Sequence, residues 1–383
     1  MAVTREPVRV LQIISGNKYL GGISQLLYNL YSHIDRDRVQ FDFLYPYFAT
    51  NGAYKDSIEA MGGHVFQLGI GGGKLSRKAK LYPGIKRFLK AHPYEIVHVN
   101  SGNFFFNLVA TRAAKDAGVK NIIVHSHNTG DPGESSLKKT AIRLMKPLLE
   151  RQLTARCACS MDAARFMFTE KAVEEGGVTV VRNGLEIGRF CYDPEARAAV
   201  RRELNIEGKR AVGHVGRFFP QKNQAYLIRV FARLAERDPD AVLLMLGDGE
   251  DMEAIRAQAR ALGVEDRAFF LGTRTDVERY YQAFDAFAFP SAWEGLGMVL
   301  VEAQISGLRC VASTRVPREA DATGDVTFID LGDENIDRWA EAVGAAMHGE
   351  RRSREVEVAA AGYDIDAVAA QMANRYCHMA GRA

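Results

Sequence analysis

Short apolar runs and longer stretches of helical spacing alternate along the first half of the chain. The first run, at 8–14, leads into a glycine-containing loop, after which Ile23, Leu27 and Leu30 recur on one helix face. Further strands are predicted at 39–44, 64–68, 96–99 and 121–125, with helices near 53–61, 82–91, 104–117 and 137–154. Strands that alternate with helices predict an α/β fold with a parallel, doubly wound sheet.

A second series of the same kind follows the Asn183-Gly184 turn. Its predicted strands lie at 210–214, 242–246, 268–271, 286–289 and 309–312. We therefore place a boundary near 183–195, between an N-terminal Rossmann-like domain over 1–185 and a C-terminal one over 186–383. The last helical stretch, 365–379, is able to pack on either domain.

The bulk composition agrees with two soluble domains. A chain of 383 residues, with 47% hydrophobic and 25% charged residues, is long enough for two cores. No apolar run approaches the roughly 20 residues that span a bilayer, and the first residues do not resemble a secretory signal. We expect a cytoplasmic protein.

Cysteine and histidine usage gives no metal site. The five cysteines are odd in number and have no C-x-x-C spacing, so neither a disulfide framework nor a zinc site is expected. His125 and His127 lie two residues apart, but no third ligand occurs at a useful spacing.

The strongest motif reads PSAWEGLGMVLVEA and follows the predicted strand at 286–289. Gly295 and Gly297 let the backbone approach a ligand, and the free N–H groups of the next helical turn favour an anion. Glu302 lies inside that helix, where its carboxylate can accept hydrogen bonds from a ribose diol, and Glu294 can reach a bound sugar. The alternative is an ordinary loop with two unrelated acids.

A second motif, HVGRFFPQKN, follows the predicted strand at 210–214. Arg217 offers a planar fork of donors and Lys222 a compact charge, which together suit a diphosphate whose negative charge grows as it leaves. Asn223 is able to cap the next helix. Two exposed loop cations are the alternative interpretation.

Two weaker signals lie in the N-terminal half. The sequence His125-Ser126-His127-Asn128 ends a predicted strand, where a histidine can donate to a sugar hydroxyl, and a structural hydrogen bond is the alternative. The Gly21-Gly22 pair would let the backbone approach a phosphate or an acceptor. The dinucleotide fingerprint G-x-G-x-x-G and the P-loop pattern are absent from the sequence, which argues against an oxidoreductase and an ATPase.

Taken together, these motifs resemble the family 4 glycosyltransferases of the GT-B fold, especially their bacterial exopolysaccharide and capsule branch. The likeness spans essentially the whole chain, including Val181-Arg182-Asn183-Gly184-Leu185 with Phe190 and Leu246-Gly247-Asp248-Gly249. It implies two facing Rossmann-like domains with a cleft between them, the first on the acceptor side and the second binding the nucleotide-sugar.

The resemblance also implies a role for each motif. Arg217 and Lys222 would bind the donor diphosphate, and Glu302 the ribose. His127 is similar to the family's sugar-facing histidine, with His125 as the alternative. The expected catalytic residues are His127, Arg217, Lys222 and Glu294, and the expected donor-binding residues are Gly22, Gly216, Arg217, Lys222, Thr273, Glu294, Gly295, Leu296, Gly297, Met298 and Glu302.

By the same resemblance, the protein is a retaining hexosyltransferase that needs no metal or other cofactor. It would move a hexose or N-acetylhexosamine from a UDP-sugar to a saccharide acceptor, expected to be polyprenyl-diphosphate-linked, in exopolysaccharide or capsule biosynthesis. A GT-B sugar-nucleotide epimerase and a non-catalytic scaffold are the alternatives. Relatives commonly carry proline and small residues where this chain has Gly295-Leu296-Gly297-Met298, which leaves the transferred sugar open.

Charge predicts a membrane partner. Residues 1–180 carry 24 Lys and Arg against 15 Asp and Glu, a net +9, whereas residues 181–383 carry 26 against 32, a net −6. The acid-free stretch from Lys74 to Lys90, with Phe104-Phe105-Phe106 nearby, would suit peripheral contact with anionic lipid at the inner face of the cell membrane. A solvated basic helix is the alternative, and no nucleic-acid-reading motif is present.

Overall fold

The structure is a computed structural model that describes residues 6–16, 22–47, 52–130 and 133–382, and the backbone alone at residue 74. Its contacts divide the chain into two compact units. One comprises Met1–Leu185 with Tyr363–Ala383, and the other comprises Glu186–Gly362.

The first unit is built on a seven-stranded parallel sheet. Its strands are β1 (Val8–Ile14), β2 (Val39–Tyr45), β3 (Val65–Gln67), β4 (Ile96–Ser101), β5 (Asn121–Ser126), β6 (Ala155–Ala158) and β7 (Thr179–Val180). They lie in the order β3-β2-β1-β4-β5-β6-β7. Because helices cover both faces of such a sheet, the central strands read as nearly continuous apolar runs.

Among the described residues of the first unit, seven helices precede the second unit in the chain. They are α1 (Gly22–His33), α2 (Gly52–Ala60), α3 (Lys74–Ala91), α4 (Phe104–Asp116), α5 (Ser136–Glu150), α6 (Met161–Met167) and α7 (Glu170–Glu174). Asn103 begins α4 by accepting a hydrogen bond from the N–H of Phe106 at 3.0 Å. The start of α4 turns inward, since Phe104 is 2% and Phe106 6% exposed. The predicted aromatic membrane face at 104–106 is therefore wrong.

The second unit contains a six-stranded parallel sheet, ordered β10-β9-β8-β11-β12-β13. The strands are β8 (Arg210–Val215), β9 (Ala241–Leu246), β10 (Ala268–Phe270), β11 (Ala286–Phe289), β12 (Arg309–Ser313) and β13 (Val326–Ile329). The helices are α8 (Pro194–Glu203), α9 (Gln224–Arg237), α10 (Met252–Ala261), α11 (Val277–Ala283), α12 (Met298–Ile305), α13 (Ile336–Ala346) and α14 (Glu355–Val358).

The last helix, α15 (Ile365–Met379), belongs to the first unit. The sequence alone left open whether this helix packs on the first or the second domain. The helix begins where Asp364 accepts a hydrogen bond from the N–H of Ala367, and it packs against α1, β1 and β2. Hydrogen bonds from Leu185 N–H to Tyr363 O and from Ile365 N–H to Leu185 O tie its start to the end of the N-terminal segment. Of the helices in the described ranges, none is both long and apolar enough to cross a membrane.

Candidate active site

Two loops meet at the centre of the second sheet, where β8 and β11 are neighbours. The chain leaves β8 toward β9 on one side and leaves β11 toward β12 on the other, which opens a crevice at the carboxyl ends of the two strands. The loops are tied together where Ala292 N–H donates to Gln221 O at 2.8 Å and Gln221 Nε2 donates to Trp293 O at 2.9 Å. Asn223 does not cap α9 as predicted, because its side chain donates instead to Pro290 O at 3.2 Å.

Glycines allow the close backbone contacts that shape this crevice. Gly216 N–H donates to Leu246 O at 2.9 Å, which brings the β8 loop against the end of β9. Gly247 follows with φ of +130°, and a Cβ there would lie 2.1 Å from the carbonyl oxygen of Gly216. Only glycine fits such an approach, so Gly247 fixes the position of the loop that carries Arg217 and Lys222.

An ion pair joins the two loops across the crevice. Lys222 Nζ donates to Glu294 Oε1 at 2.6 Å, and the two side chains are only 18% and 8% exposed. The ammonium also lies 5.0 Å from the centre of the Phe289 ring. A charge held between a carboxylate and an aromatic face is positioned without a large entropy cost when an anion arrives.

Arg217 provides a second cation on the same loop. Its side chain is exposed and lies over the Phe219 ring at 5.4 Å, and no ion pair holds it among the described residues. Its five N–H donors are therefore available to a ligand in the crevice.

The glycine-rich segment before α12 buries the side chain that lies between its two glycines. Leu296 is 3% exposed and packs inward. Gly297 has φ of +92°, and a Cβ there would lie 3.0 Å from Phe289 Cε1. The chain then enters α12 at Met298, three residues after Gly295, so the N–H groups at the start of the helix lie beside this segment.

Glu302 is oriented by a tyrosine that the sequence reasoning missed. Tyr281 Oη donates to Glu302 Oε2 at 2.8 Å and is fully buried on α11. Part of the Glu302 surface remains accessible, yet protein surrounds it closely enough that burial raises the pKa of the carboxyl, while Tyr281 and the cations Arg189 and Lys222 oppose that shift. Nothing in the sequence paired a tyrosine with Glu302, because the contact spans 21 residues.

Several buried polar atoms near the crevice have no partner in the described structure. They are Nε2 of His214, Oγ of Ser291 and Oε1 of Gln224. His214 Nδ1 bonds to Ala288 O at 2.9 Å, and burial, with a smaller contribution from Lys222, lowers the pKa of His214 to about 4. Since buried polar groups normally have hydrogen-bond partners, these atoms are candidate contacts for a polar ligand.

The remaining predicted residues lie outside these two loops. Thr273 is exposed in the loop after the edge strand β10, next to Gly272, whose carbonyl accepts a hydrogen bond from Gly247 N–H at 2.9 Å. Gly22 belongs to the first unit, where it begins α1, and Gly21 lies outside the described residues. Within the described residues, no group of three or more His, Cys, Asp or Glu side chains could hold a metal ion.

His127 also belongs to the first unit, just after β5. Its Nε2 lies 3.2 Å from Asn100 Oδ1, and its ring is 4.1 Å from that of His125. His125 is only 5% exposed, whereas His127 keeps intermediate exposure. Burial lowers the pKa of His127 to about 3, so its imidazole is neutral at physiological pH.

Two families match the two halves of the chain. Residues 21–184 match the glycosyl transferase 4-like domain, and residues 196–361 match glycosyl transferases group 1. The putative glycosyltransferase EpsF of Bacillus subtilis is 34% identical over 375 residues, covering 96% of each chain. The UDP-Gal:alpha-D-GlcNAc-diphosphoundecaprenol alpha-1,3-galactosyltransferase of Escherichia coli is 28% identical over 249 residues, or 62% of each chain.

The fold matches solved structures as well. HepE of Anabaena, crystallised with UDP and glucose, superposes with a TM-score of 0.75 at 21% identity and covers 97% of this chain and 100% of its own. Together with the two family matches, these two parallel-sheet α/β units define a glycosyltransferase of the GT-B class, which confirms the predicted fold. The chain belongs to family 4 of the glycosyltransferases and resembles the enzymes of exopolysaccharide biosynthesis.

Proposed function

We propose that this glycosyltransferase moves a hexose or N-acetylhexosamine from a UDP-sugar, with retention and without a metal, to a polyprenyl-diphosphate-linked saccharide in surface polysaccharide synthesis. The contact between Lys222 and Glu294 carries the proposal, because it brings a candidate diphosphate ligand and a candidate sugar ligand together at the switch point of the second sheet. The choice of UDP is supported by the name of the Escherichia coli relative and by the HepE complex.

In this proposal, Lys222 exchanges one anionic partner for another. The donor diphosphate draws the ammonium away from Glu294, and Arg217 binds the same group from the rim of the crevice. As the bond between the sugar and the phosphate breaks, negative charge grows on the departing UDP, and the two cations stabilise it. Their positive charge stabilises the departing diphosphate, as a divalent metal does in other enzymes, and for this reason no metal is proposed.

The carboxylates hold the rest of the donor. Glu302, oriented by Tyr281, accepts hydrogen bonds from the ribose diol, while Glu294 and the backbone from Gly295 to Met298 bind the sugar. The acceptor hydroxyl forms its new bond on the face that UDP leaves, and its proton passes to the departing phosphate. His127 contacts a hydroxyl of the transferred sugar.

The acceptor would be reached at an anionic membrane surface, at the cytoplasmic face. Two helices that flank α4 carry the features for such contact. On α3, the exposed cations are Arg77, Lys78, Lys80, Arg87 and Lys90. On α5, Leu137, Leu144 and Leu148 are 82%, 71% and 45% exposed and lie on one face at helical spacing, with Lys138, Lys139 and Arg143 also exposed. This surface replaces the aromatic face that the sequence suggested.

The test screens UDP-sugars against the intact protein in EDTA, with a short-chain polyprenyl-diphosphate saccharide as the acceptor. We expect a UDP-sugar to raise the thermal unfolding temperature and to be consumed only with acceptor, giving a product with the anomeric configuration of the donor. Conversion of the donor without acceptor would instead indicate an epimerase. Stabilisation without any turnover would support a scaffold, and a requirement for Mg²⁺ or Mn²⁺ would contradict the metal-independent mechanism.

A further inference from the structure

A row of buried polar side chains lies beneath His127 in the first unit. Gln12 on β1, Asn100 on β4 and Tyr376 on α15 are each 0% exposed, and His98 on β4 is 1% exposed. The register of β1 and β4 sets Gln12 beside His98, two residues before Asn100. Three buried polar side chains on central strands, with a fourth on the helix packed against them, are costly unless they are hydrogen-bonded, so their arrangement is constrained.

The directions of the hydrogen bonds made by the two amide side chains follow from one backbone carbonyl. Asn100 Nδ2 lies 3.2 Å from the carbonyl oxygen of His98, which can only accept, so this end of the amide must be its nitrogen. The same Nδ2 donates to Gln12 Oε1 at 2.8 Å. Gln12 Nε2 therefore donates to Tyr376 Oη at 3.3 Å, and His98 Nδ1 lies 2.7 Å from the same oxygen.

This arrangement leaves Asn100 Oδ1 facing His127. The oxygen lies 3.2 Å from His127 Nε2, and an amide oxygen can only accept. The ring nitrogen must then carry the hydrogen. Because burial keeps the pKa of His127 at about 3, the ring holds a single proton at neutral pH, and Nδ1 is left with a lone pair.

We propose that Asn100 is a positioning residue that holds His127 in the Nε2–H tautomer, so that Nδ1 accepts a hydrogen bond from a hydroxyl of the bound sugar. The inference rests on the proposed function, which places His127 against that sugar. It reverses the role expected from the sequence, in which this histidine donates. A hydroxyl that donates to Nδ1 keeps its own oxygen available to other partners.

The test uses the intact protein with ¹⁵N-labelled histidines, without donor. Long-range ¹H–¹⁵N spectra distinguish a protonated ring nitrogen from an unprotonated one, and His127→Gln identifies the signals of His127 among the nine histidines. We expect a protonated Nε2 and an unprotonated Nδ1 at neutral pH. The opposite pattern in the wild type would overturn the proposal, whatever the variants do.

Three variants separate positioning from simple support of the fold. Asn100→Leu removes the acceptor and should give a mixture of tautomers or the Nδ1–H form, whereas Asn100→Asp keeps an acceptor and should restore Nε2–H. Tyr376→Phe removes a hydroxyl from the same buried network without touching Asn100, and should leave the tautomer of His127 unchanged. A wild-type spectrum in a folded Asn100→Leu protein would contradict the proposal.

Activity provides an independent readout. In Asn100→Leu we expect kcat for transfer to fall about tenfold, the size of one hydrogen bond, with UDP affinity unchanged because UDP binds the second unit. If no UDP-sugar is turned over by the wild type, the proposed function fails while the spectra still decide the tautomer. An unchanged kcat together with a changed tautomer would overturn the role of Nδ1.

Discussion

The ammonium of Lys222 lies 2.6 Å from the carboxylate of Glu294, although the two residues are 72 positions apart in the chain. Each comes from a loop at the carboxyl end of a central strand, and the sheet order alone makes those strands neighbours. The pair is mostly buried, so each member depends on the other until a ligand arrives.

Loss of the lysine should damage transfer, and it should also lower the thermal midpoint, because the mostly buried carboxylate of Glu294 loses the Lys222 ammonium. In Lys222→Ala we expect kcat to fall about 10²–10³-fold, because one fixed donor to the leaving group is removed. The measurement is the initial rate at saturating UDP-sugar. Lys209→Ala is the matched control, since Lys209 is bonded to Asp240 at 2.9 Å in the same unit, just before β8 begins. Equal losses in the two variants would contradict the assigned role.

Replacement of Glu302 should have opposite effects on the stability of the protein and on donor binding. The pKa of Glu302 is raised in the folded protein, so its ionised carboxylate lowers the free energy of unfolding at neutral pH. This cost disappears as the pH falls to the pKa that Glu302 has in the unfolded chain and below. Glu302→Gln should raise the thermal midpoint at pH 7, as stabilising substitutions of about 0.5–2 kcal/mol do, while it weakens stabilisation by UDP.

The same raised pKa predicts how donor binding varies with pH. The ionised carboxylate is the better acceptor for a ribose diol, so UDP affinity of the wild type should fall on acidification through that pKa. In Glu302→Gln, UDP affinity should be weaker and should lose this part of the pH dependence. Calorimetric titration across the range provides the measurement, and identical profiles for both proteins would exclude Glu302 as the ribose ligand.

Gly247 should tolerate no side chain. Gly247→Ala would force a Cβ against the carbonyl of Gly216 in a left-handed backbone, and overpacking of this kind costs about 1–3 kcal/mol. We expect a lower thermal midpoint and loss of stabilisation by UDP. Gly263→Ala provides the comparison, because Gly263 has a φ of +68° but open space around it and lies away from the crevice. If UDP still protects Gly247→Ala fully, the close approach does not shape the site.

The exposed leucines of α5 offer a direct test of membrane contact. Leu137→Ser with Leu144→Ser should weaken binding to anionic vesicles by at least tenfold, since burial of each leucine contributes about 1.5–3 kcal/mol. Co-sedimentation at low salt measures this. The control pair is Leu262→Ser with Val356→Ser, whose side chains are 44% and 73% exposed on the second unit. Binding that is unchanged in the α5 variant would rule out this surface.

The main strands and both charged motifs could be predicted because their signals are local. An apolar run followed by glycine and a charged loop marks the end of a buried strand wherever it occurs, and the loops after β8 and β11 lie where the sequence predicted. The strands β6, β7 and β13 were missed. They are two to four residues long and carry partly exposed positions, so they leave no continuous apolar run.

The partners of the site residues could not be predicted. Gln12 interrupts an apolar strand and His98 another, which was a visible anomaly, but only the three-dimensional contact with Tyr376, 364 residues after Gln12, explains them. Tyr281 gave no signal at all, because a tyrosine on a buried helix face is ordinary. Long-range hydrogen bonds of this kind depend on packing angles and strand register, which residue types alone do not determine.

The position of α15 in the sequence also determines the order in which the two units can complete their folding during translation. The second unit, Glu186–Gly362, is one continuous segment and can fold as soon as it has emerged. The first unit starts earlier yet lacks Val368, Met372 and Tyr376, which fill its core, until the whole second unit has been synthesised. A nascent chain therefore carries an unfilled apolar groove during the synthesis of the whole second unit, and a premature stop before α15 would leave that groove open permanently.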